Sequence, residues 1–359
     1  MTDRPIQAEA APRVPPFAVP TWLRPVTVPS GRHGLAGGWA RFTDMDVVQR
    51  HADGGYSICR MGLDDLLQAA DDRNLASAAM DRLLAPRDPF AGLSMTAPRL
   101  MGILNVTPDS FSDGGRHNAP ARAIAAARAM QDAGAAIIDI GGESTRPGAA
   151  PVTRNQELAR VLPVLAGLRD SGAVLSIDTR HAEVMRRAVA GGAGIINDVG
   201  ALRGDGAVDA AAAAGVPVVM MHMQGTPEKM QADPQYGFAP VEILEFLEAR
   251  IQAAEAAGIP RALMAIDPGY GFGKTVTHNL QLINWTAMLH MLGVPILIGA
   301  SRKSSIATIS AGEDADQRLP GSLALAMAAL RQGAQMLRVH DVGETMQAVK
   351  VEMEMLRTL

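Results

Sequence analysis

One cysteine, Cys59, stands among 359 residues, so no disulfide can form within the chain and a cluster of thiolate metal ligands is not supported. Such usage fits a reducing compartment, and a cytoplasmic setting is expected. Basic residues are not in excess. There are 33 Lys and Arg against 37 Asp and Glu, for a net charge of −4, which lacks the basic footprint of a general nucleic-acid binder. Long apolar runs are missing too. Ile137 to Ile140 and Val216 to Met221 fall far short of the roughly 20 residues that cross a bilayer, and read instead as buried strands. Neither nucleic acid nor membrane is therefore expected as a partner. The first residues carry Asp3, Arg4 and Glu9 with no apolar stretch, unlike a secretory leader. The histidines form no HExxH or similar metal spacing, and no GxGxxG or P-loop follows a strand-like run. A dinucleotide or ATP site of those kinds is not indicated.

What the chain does have is core-forming residues. Hydrophobic side chains make up 48% of it, which permits a sizeable core and argues against global disorder. The 20 methionines read as pliable core filler. Three stretches differ in character. Residues 1–30 hold Pro5, Pro12, Pro15, Pro16, Pro20, Pro25 and Pro29, a density expected to disfavour helix and sheet pairing and to give a flexible arm. Residues 31–98 are expected to form a small extension packed on the rest. Trp39, Phe42, Val47 and Val48 could cover a core, and Gly62 to Leu84 has the spacing of a helix ended by Pro86 and Pro89.

From Arg99 to the end the pattern becomes regular. Apolar runs begin at Leu100, Ala136, Ala173, Gly194, Val216, Leu263, Pro295 and Gln335. Alanine-rich helical segments follow them at 119–133, 155–170, 181–191, 206–214, 240–257, 278–291, 320–332 and 344–357. Runs that are apolar throughout imply strands buried on both faces. Eight strand–helix units over this length predict an α/β fold of the (β/α)8 TIM-barrel class, 99–359, with an open doubly wound sheet as the competitor.

Polar residues recur where the apolar runs end: Asn105, Gly141 to Arg146, Asp178, Asn197 and Asp198, His222, Asp267, Ser301 to Lys303, and Arg338, His340 and Asp341. A barrel gathers all eight of these ends on one face, where active sites lie. Helix capping could explain Asp198, Asp341 or Ser301 taken singly. It does not explain polar residues at every strand end. Asp178, Asn197 and Asp267 offer acceptors, with Asn197 also a donor, suited to a flat heterocycle edged with amide and amino groups. Arg302, Lys303, Arg338 and His340 near Asn105 suit a phosphorylated leaving group, with ion pairing to the two aspartates as the lesser alternative for Lys303 and Arg338. The segment opened by Ser301 to Ser304 looks helical and adds N–H groups for an anion. Gly114-Gly115, Gly141-Gly142 and the glycines of 269–273 permit close backbone approach.

These residues lie in segments that resemble dihydropteroate synthases. Met101-Gly-Ile-Leu-Asn-Val-Thr-Pro-Asp-Ser-Phe-Ser-Asp-Gly-Gly115 and Asp139-Ile-Gly-Gly-Glu-Ser-Thr-Arg-Pro-Gly148 are similar to the first and second signatures of that family. Ser176 to Thr179, Ile195 to Asp198, Met221 to Pro227, Asp267 to Lys274, Ser301 to Ser304 and Arg338 to Asp341 follow in the family's order, covering 99–359. Ser305 and Ala307 depart from the pattern, which expects a bulkier residue and a glycine there.

The resemblance implies a transferase of folate biosynthesis. In its reaction 4-aminobenzoate displaces diphosphate from (7,8-dihydropterin-6-yl)methyl diphosphate to give 7,8-dihydropteroate. It implies that Asp178, Asn197, Asp267 and Lys303 hold the pterin, and that Asn105, Arg338 and His340 hold the diphosphate with Mg2+ at Asn105. Thr145, Arg146, Pro147, Phe272 and Ser304 would form the aminobenzoate site. Asn105, Asp178, Lys303, Arg338 and His340 would be the catalytic set. It further implies a homodimer and a sulfonamide target. A pterin-dependent methyltransferase would share the barrel and the pterin contacts but need no diphosphate residues. A non-catalytic pterin-binding paralogue would leave those residues free to vary, yet they are all present.

Overall fold

A computed structural model describes residues 7–9, 14–107, 119–143, 152–226 and 229–358. The first unit is a mixed sheet with two helices. Its strands are β1 (Gln7–Glu9), β2 (Thr21–Thr27), β3 (His33–Gly34), β4 (Arg41–Arg50) and β5 (Tyr56–Gly62), followed by α1 (Leu63–Ala69) and α2 (Arg73–Leu84). The sheet order is β1-β5-β4-β2, with β3 also paired to β4. Proline density was expected to keep 1–30 out of a sheet, and β2 corrects this. It pairs antiparallel with β4 from Thr21 to Thr27, with a register shift between Pro25 and Thr27. Proline is tolerated there because β2 is an edge strand and its missing N–H costs no ladder bond on the open side. The boundary drawn at residue 30 therefore cuts through a sheet. The single helix read over Gly62 to Leu84 is two helices. The Asp72 carboxylate accepts from Asn74 and Leu75 N–H and so restarts the helix as a new N-cap.

The extension makes specific contacts with the rest of the chain. Trp39 Nε1 donates to the Leu330 carbonyl at 2.8 Å, and the Arg24 guanidinium stacks on Trp285 at 4.1 Å. Arg87 is buried and donates to the carbonyls of Arg82, Ala85 and His290.

Eight parallel strands then alternate with helices. They are β6 (Arg99–Asn105), β7 (Ile137–Gly141), β8 (Val174–Asp178), β9 (Ile195–Asp198), β10 (Val218–Met221), β11 (Met264–Asp267), β12 (Leu297–Ile298) and β13 (Met336–Val339). Their order is β11-β10-β9-β8-β7-β6-β13-β12, and a parallel bridge between Ile266 and Ile296 joins the two ends. That closure decides for the barrel over the open sheet. The helices are α3 (Ala119–Asp132), α4 (Arg154–Leu168), α5 (Ala182–Ala190), α6 (Ala207–Ala214), α7 (Ala239–Ala256), α8 (Val276–Asn284), α9 (Ser304–Ile309), α10 (Leu319–Arg331) and α11 (Val342–Arg357). The helix expected over 278–291 ends at Asn284, and a 3-10 segment over Thr286–Leu292 takes its place. Its residues are almost wholly buried, and it lies where the extension meets the barrel, so packing overrides helix propensity.

Side chains from the first halves of the strands fill the barrel's lower interior: Met101, Ile137, Ile195, Val219, Ala265, Leu297 and Met336. Phe90 and Met95, from the segment that leads into the barrel, join the same cluster and plug that end. The apolar packing thus occupies one end, and the polar strand ends occupy the other. No helix among the described residues is long and apolar enough to cross a membrane.

Candidate active site at the C-terminal face

Strand register brings distant residues side by side. Asn105 of β6 pairs with Gly141, Gly141 with Asp178, and Asp178 with Asn197. Gly141 lies between the two: a Cβ placed on it would touch Asp178 at 3.6 Å and the Asn105 amide oxygen at 3.7 Å, ordinary contact distances. Across the barrel, Arg338 of β13 reaches back to the same row. Its Nε donates to Asp139 Oδ2 at 2.7 Å, and Nη2 donates to Asp178 Oδ2 at 2.8 Å. Asn197 Nδ2 donates to the same Asp139 oxygen at 3.0 Å, while Asp139 Oδ1 is buried without a partner.

Electrostatics follow from this crowding. Burial pushes the Asp178 carboxyl up to about 7; Arg338 opposes the shift and Asp139 adds to it. Burial also raises Asp267, against the N–H of Gly269 and the charges of Lys303 and Arg338. Burial disfavours the charged Arg338, but Asp139 and Asp178 outweigh it and keep the guanidinium protonated. One guanidinium thus serves several buried carboxylates, and full ionisation of them all is costly without a further donor.

The loop after β11 is shaped by glycine. Gly269 has φ +71°, and a Cβ there would lie 1.9 Å from the His222 carbonyl oxygen, so no other residue fits. Beneath it Lys274 is buried. Its Nζ contacts the Gly269 and Phe272 carbonyls and His222 Nδ1, each at 2.9 Å. Burial holds both the Lys274 ammonium and the His222 imidazolium well below their ordinary pKa values. The loop presents Phe272, whose ring lies 4.1 Å from Lys303 Nζ.

Loops seven and eight are tied together. The Ser301 hydroxyl accepts from the His340 backbone N–H at 3.2 Å and lies 3.0 Å from His340 Nδ1. Burial and the neighbouring Arg338 lower the His340 pKa to about 3, so the imidazole is neutral. Arg302 adopts φ +57° and is held there by Asp341 through a paired guanidinium–carboxylate contact and by the Ser322 hydroxyl.

These groups surround a cavity of about 700 Å3 whose lining includes Asn105, Asp178, Phe272, Lys303, Ser304, Arg338 and His340. Asn197 and Asp267 are buried and are not among the residues lining this cavity. Thr145, Arg146 and Pro147 lie outside the described residues. Asp139 and Lys274 escaped the reading of strand ends. A carboxylate inside the apolar run of β7 was the available signal for the first. The last residue of the 267–274 motif was the signal for the second. Asp198 does not cap the next helix, whose N-cap is Gly206; its carboxylate accepts from Gly200 and Leu202 N–H at 2.6 and 2.8 Å and so closes the turn after β9.

Residues 101–340 match the family model described as pterin binding enzyme. The dihydropteroate synthase of Escherichia coli strain K12 is 47% identical over 260 residues, 72% of this chain and 92% of that protein. The dihydropteroate synthase of Neisseria meningitidis serogroup C is 45% identical over 262 residues, 72% of this chain and 93% of that one. The chain belongs to the dihydropteroate synthase family. It is a transferase of folate biosynthesis. Among solved structures, the Xanthomonas albilineans dihydropteroate synthase with 4-aminobenzoic acid superposes with a TM-score of 0.72 at 48% identity, covering 76% of this chain and 99% of that one. The same enzyme in complex with 7,8-dihydropteroate gives 0.69 at 45% identity, covering 76% and 100%. A Yersinia pestis dihydropteroate synthase with a sulfonamide drug gives 0.71 at 46%, covering 74% and 97%.

Proposed function

We propose that this cavity joins (7,8-dihydropterin-6-yl)methyl diphosphate to 4-aminobenzoate and releases diphosphate. The observation that carries the reading is one cavity lined by Arg338, braced by Asp139 and Asp178, together with His340, Asn105 and Lys303. Asp178, Asn197, Asp267 and Lys303 hold the pterin. Its ring N–H and amino groups supply the donors that the crowded carboxylates lack, so binding relieves their repulsion and favours the ionised forms. As the carbon–oxygen bond to diphosphate lengthens, positive charge spreads into the pterin, where Asp178 and Asp267 stabilise it. The remaining donors of Arg338, with neutral His340, receive the negative charge on the departing diphosphate. The amine of 4-aminobenzoate then needs placement more than activation, because a neutral aniline is already nucleophilic. Phe272 and Ser304 line the cavity on the side proposed for it, and Thr145, Arg146 and Pro147 are assigned to the same subsite from the family resemblance alone. No general base is assigned.

Asn105 is the protein group proposed to hold Mg2+, together with diphosphate oxygens. The donor set fits a hard cation that keeps substrate and water ligands: one amide oxygen at the cavity, and no group of three or more potential acidic, histidine or cysteine ligands among the described residues. When bound, Mg2+ would neutralise charge on the leaving diphosphate. Two copies are proposed to associate, a reading supported by the exposed apolar side chains of Ile309, Val351 and Met355 on outer helices. Sulfonamides, as analogues of 4-aminobenzoate, are proposed to compete at the same subsite, and the enzyme to work in the cytoplasm.

The test is product formation by mass spectrometry from both substrates with Mg2+. Dihydropteroate should appear, stop on chelation and return with Mg2+, while the melting temperature of the ligand-free protein barely moves. Absence of product would reject the reading, and a large fall in melting temperature on chelation would point to a structural metal instead.

A further inference from the structure

We propose that Tyr56, in the N-terminal extension, is a positioning residue for the active-site loop Gly269 to Lys274. The inference rests on the placement of the pterin site above. Tyr56 opens β5 at the tip of the β4–β5 hairpin, and its ring packs on Phe238 at 5.5 Å between centroids. Phe238 is nearly fully buried, held from the other side by Trp285 at 4.9 Å in an edge-on contact. Arg50 fixes Tyr56 in turn. It donates to the phenol oxygen at 3.1 Å, lies over the Tyr56 and Trp22 rings, and pairs with Glu245 of α7 at 2.6 Å.

Phe238 immediately precedes α7, and the stretch that carries it is rigidly held. The N–H groups of Gly237 and Phe238 both donate to Glu242 Oε1, at 2.6 and 2.9 Å. Two residues before Phe238, the Tyr236 hydroxyl donates to the Gly273 carbonyl at 3.0 Å, and its ring packs edge-on against His278. At Gly273 the backbone runs close against residue 224: with φ +64°, an added Cβ would lie 2.7 Å from the Gln224 carbonyl oxygen, so glycine is required there. The next residue, Lys274, gathers the Gly269 and Phe272 carbonyls, and Phe272 carries Lys303 on its face. An aromatic contact from the extension is therefore joined by short, mostly partly buried steps to a pterin-side lysine. Loss of the Tyr56 ring frees Phe238, slackens the Tyr236–Gly273 bond and lets Phe272 drift from Lys303.

The experiment compares full-length Tyr56→Ala and Tyr56→Phe with the native chain, at a temperature where circular dichroism shows each folded. Tyr56→Ala should raise KM for the pterin diphosphate by about fivefold or more and speed amide exchange at Gly271 and Phe272, while Tyr56→Phe restores both because it keeps the ring. A lowered melting temperature with unchanged KM and unchanged exchange in the loop would overturn the proposal. Should Tyr56→Ala fail to fold, Tyr236→Phe removes only the hydroxyl on Gly273. It should speed the same exchange, and unchanged exchange there would equally overturn the coupling. Exchange is read without substrate, so a native chain that made no product would reject the site reading while the exchange arm still decides this one.

Discussion

Removing the Arg338 side chain would leave Asp139 and Asp178 buried and facing each other, with no cation between them. Breaking a buried pair in this way costs on the order of 3–5 kcal/mol. Arg338→Ala is therefore expected to lower stability by that amount in urea unfolding and to cut turnover by at least about a hundredfold. It should also weaken pterin binding, because Asp178 loses the charge that favours its ionised form. Unchanged turnover would remove Arg338 from the leaving-group site. The sequence reading assigned Arg338 to the diphosphate and kept an ion pair with the aspartates as the lesser alternative. The structure has the ion pair, on the wall where the diphosphate is proposed to sit. Asp178 carries a pH signature as well. Its carboxyl titrates near 7 in the folded protein and near the ordinary aspartate value when unfolded. The folded state thus holds its proton to higher pH. The associated stability is fully present below about pH 4 and is lost as pH rises through 7. Pterin binding, which needs the carboxylate, should strengthen over the same rise. Asp178→Asn should flatten both profiles in calorimetry, and a native binding constant independent of pH from 6 to 8 would contradict the assignment.

Loops after strands do the positioning, and their geometry was only partly legible. The strand ends were visible because a switch from apolar to polar marks where a barrel strand leaves the core, as at Ile177-Asp178 and Ile266-Asp267. Asp139 was hidden because it lies inside such a run, and only the closure of the barrel shows that it points at Arg338. The break at Asp72 and the 3-10 segment over Thr286–Leu292 depend on a capping bond and on tertiary burial, and local spacing reports neither. The paired β2 was missed because proline density says nothing about whether a strand lies at an edge. Gly269 was legible as a ligand-side glycine, but its partner was not. Gly269→Ala would force a Cβ to within 1.9 Å of the His222 carbonyl. It should displace the loop, lower the melting temperature and reduce pterin affinity at least about tenfold. Native affinity in a folded Gly269→Ala protein would show that the loop does not hold the pterin.

At the scale of the whole molecule, the barrel carries the chemistry and the extension covers its flank. Leu23, Leu35, Phe42, Met45, Leu66 and Leu83 form a buried cluster that also takes in Ala287 of the barrel's 3-10 segment. A chain starting at Pro98 would uncover that flank, including Trp285 and Phe238, and would lose the Phe90 and Met95 plug. Such a truncation is expected to aggregate in light scattering at concentrations where the full chain stays dispersed. A monodisperse, fully active truncation would contradict both the packing role and the Tyr56 coupling. The barrel class and the polar face were legible from the eight repeats. The docking of the extension was legible only as surplus apolar residues, because its partners lie between 195 and 291 residues away in the sequence.

The measurement that bears most directly on the central claim is diphosphate release by the native chain from (7,8-dihydropterin-6-yl)methyl diphosphate, followed with and without 4-aminobenzoate. The account predicts release that rises steeply with 4-aminobenzoate, matches dihydropteroate one for one, and is lost in Arg338→Ala. Release that ignores 4-aminobenzoate, or none in its presence, would contradict it.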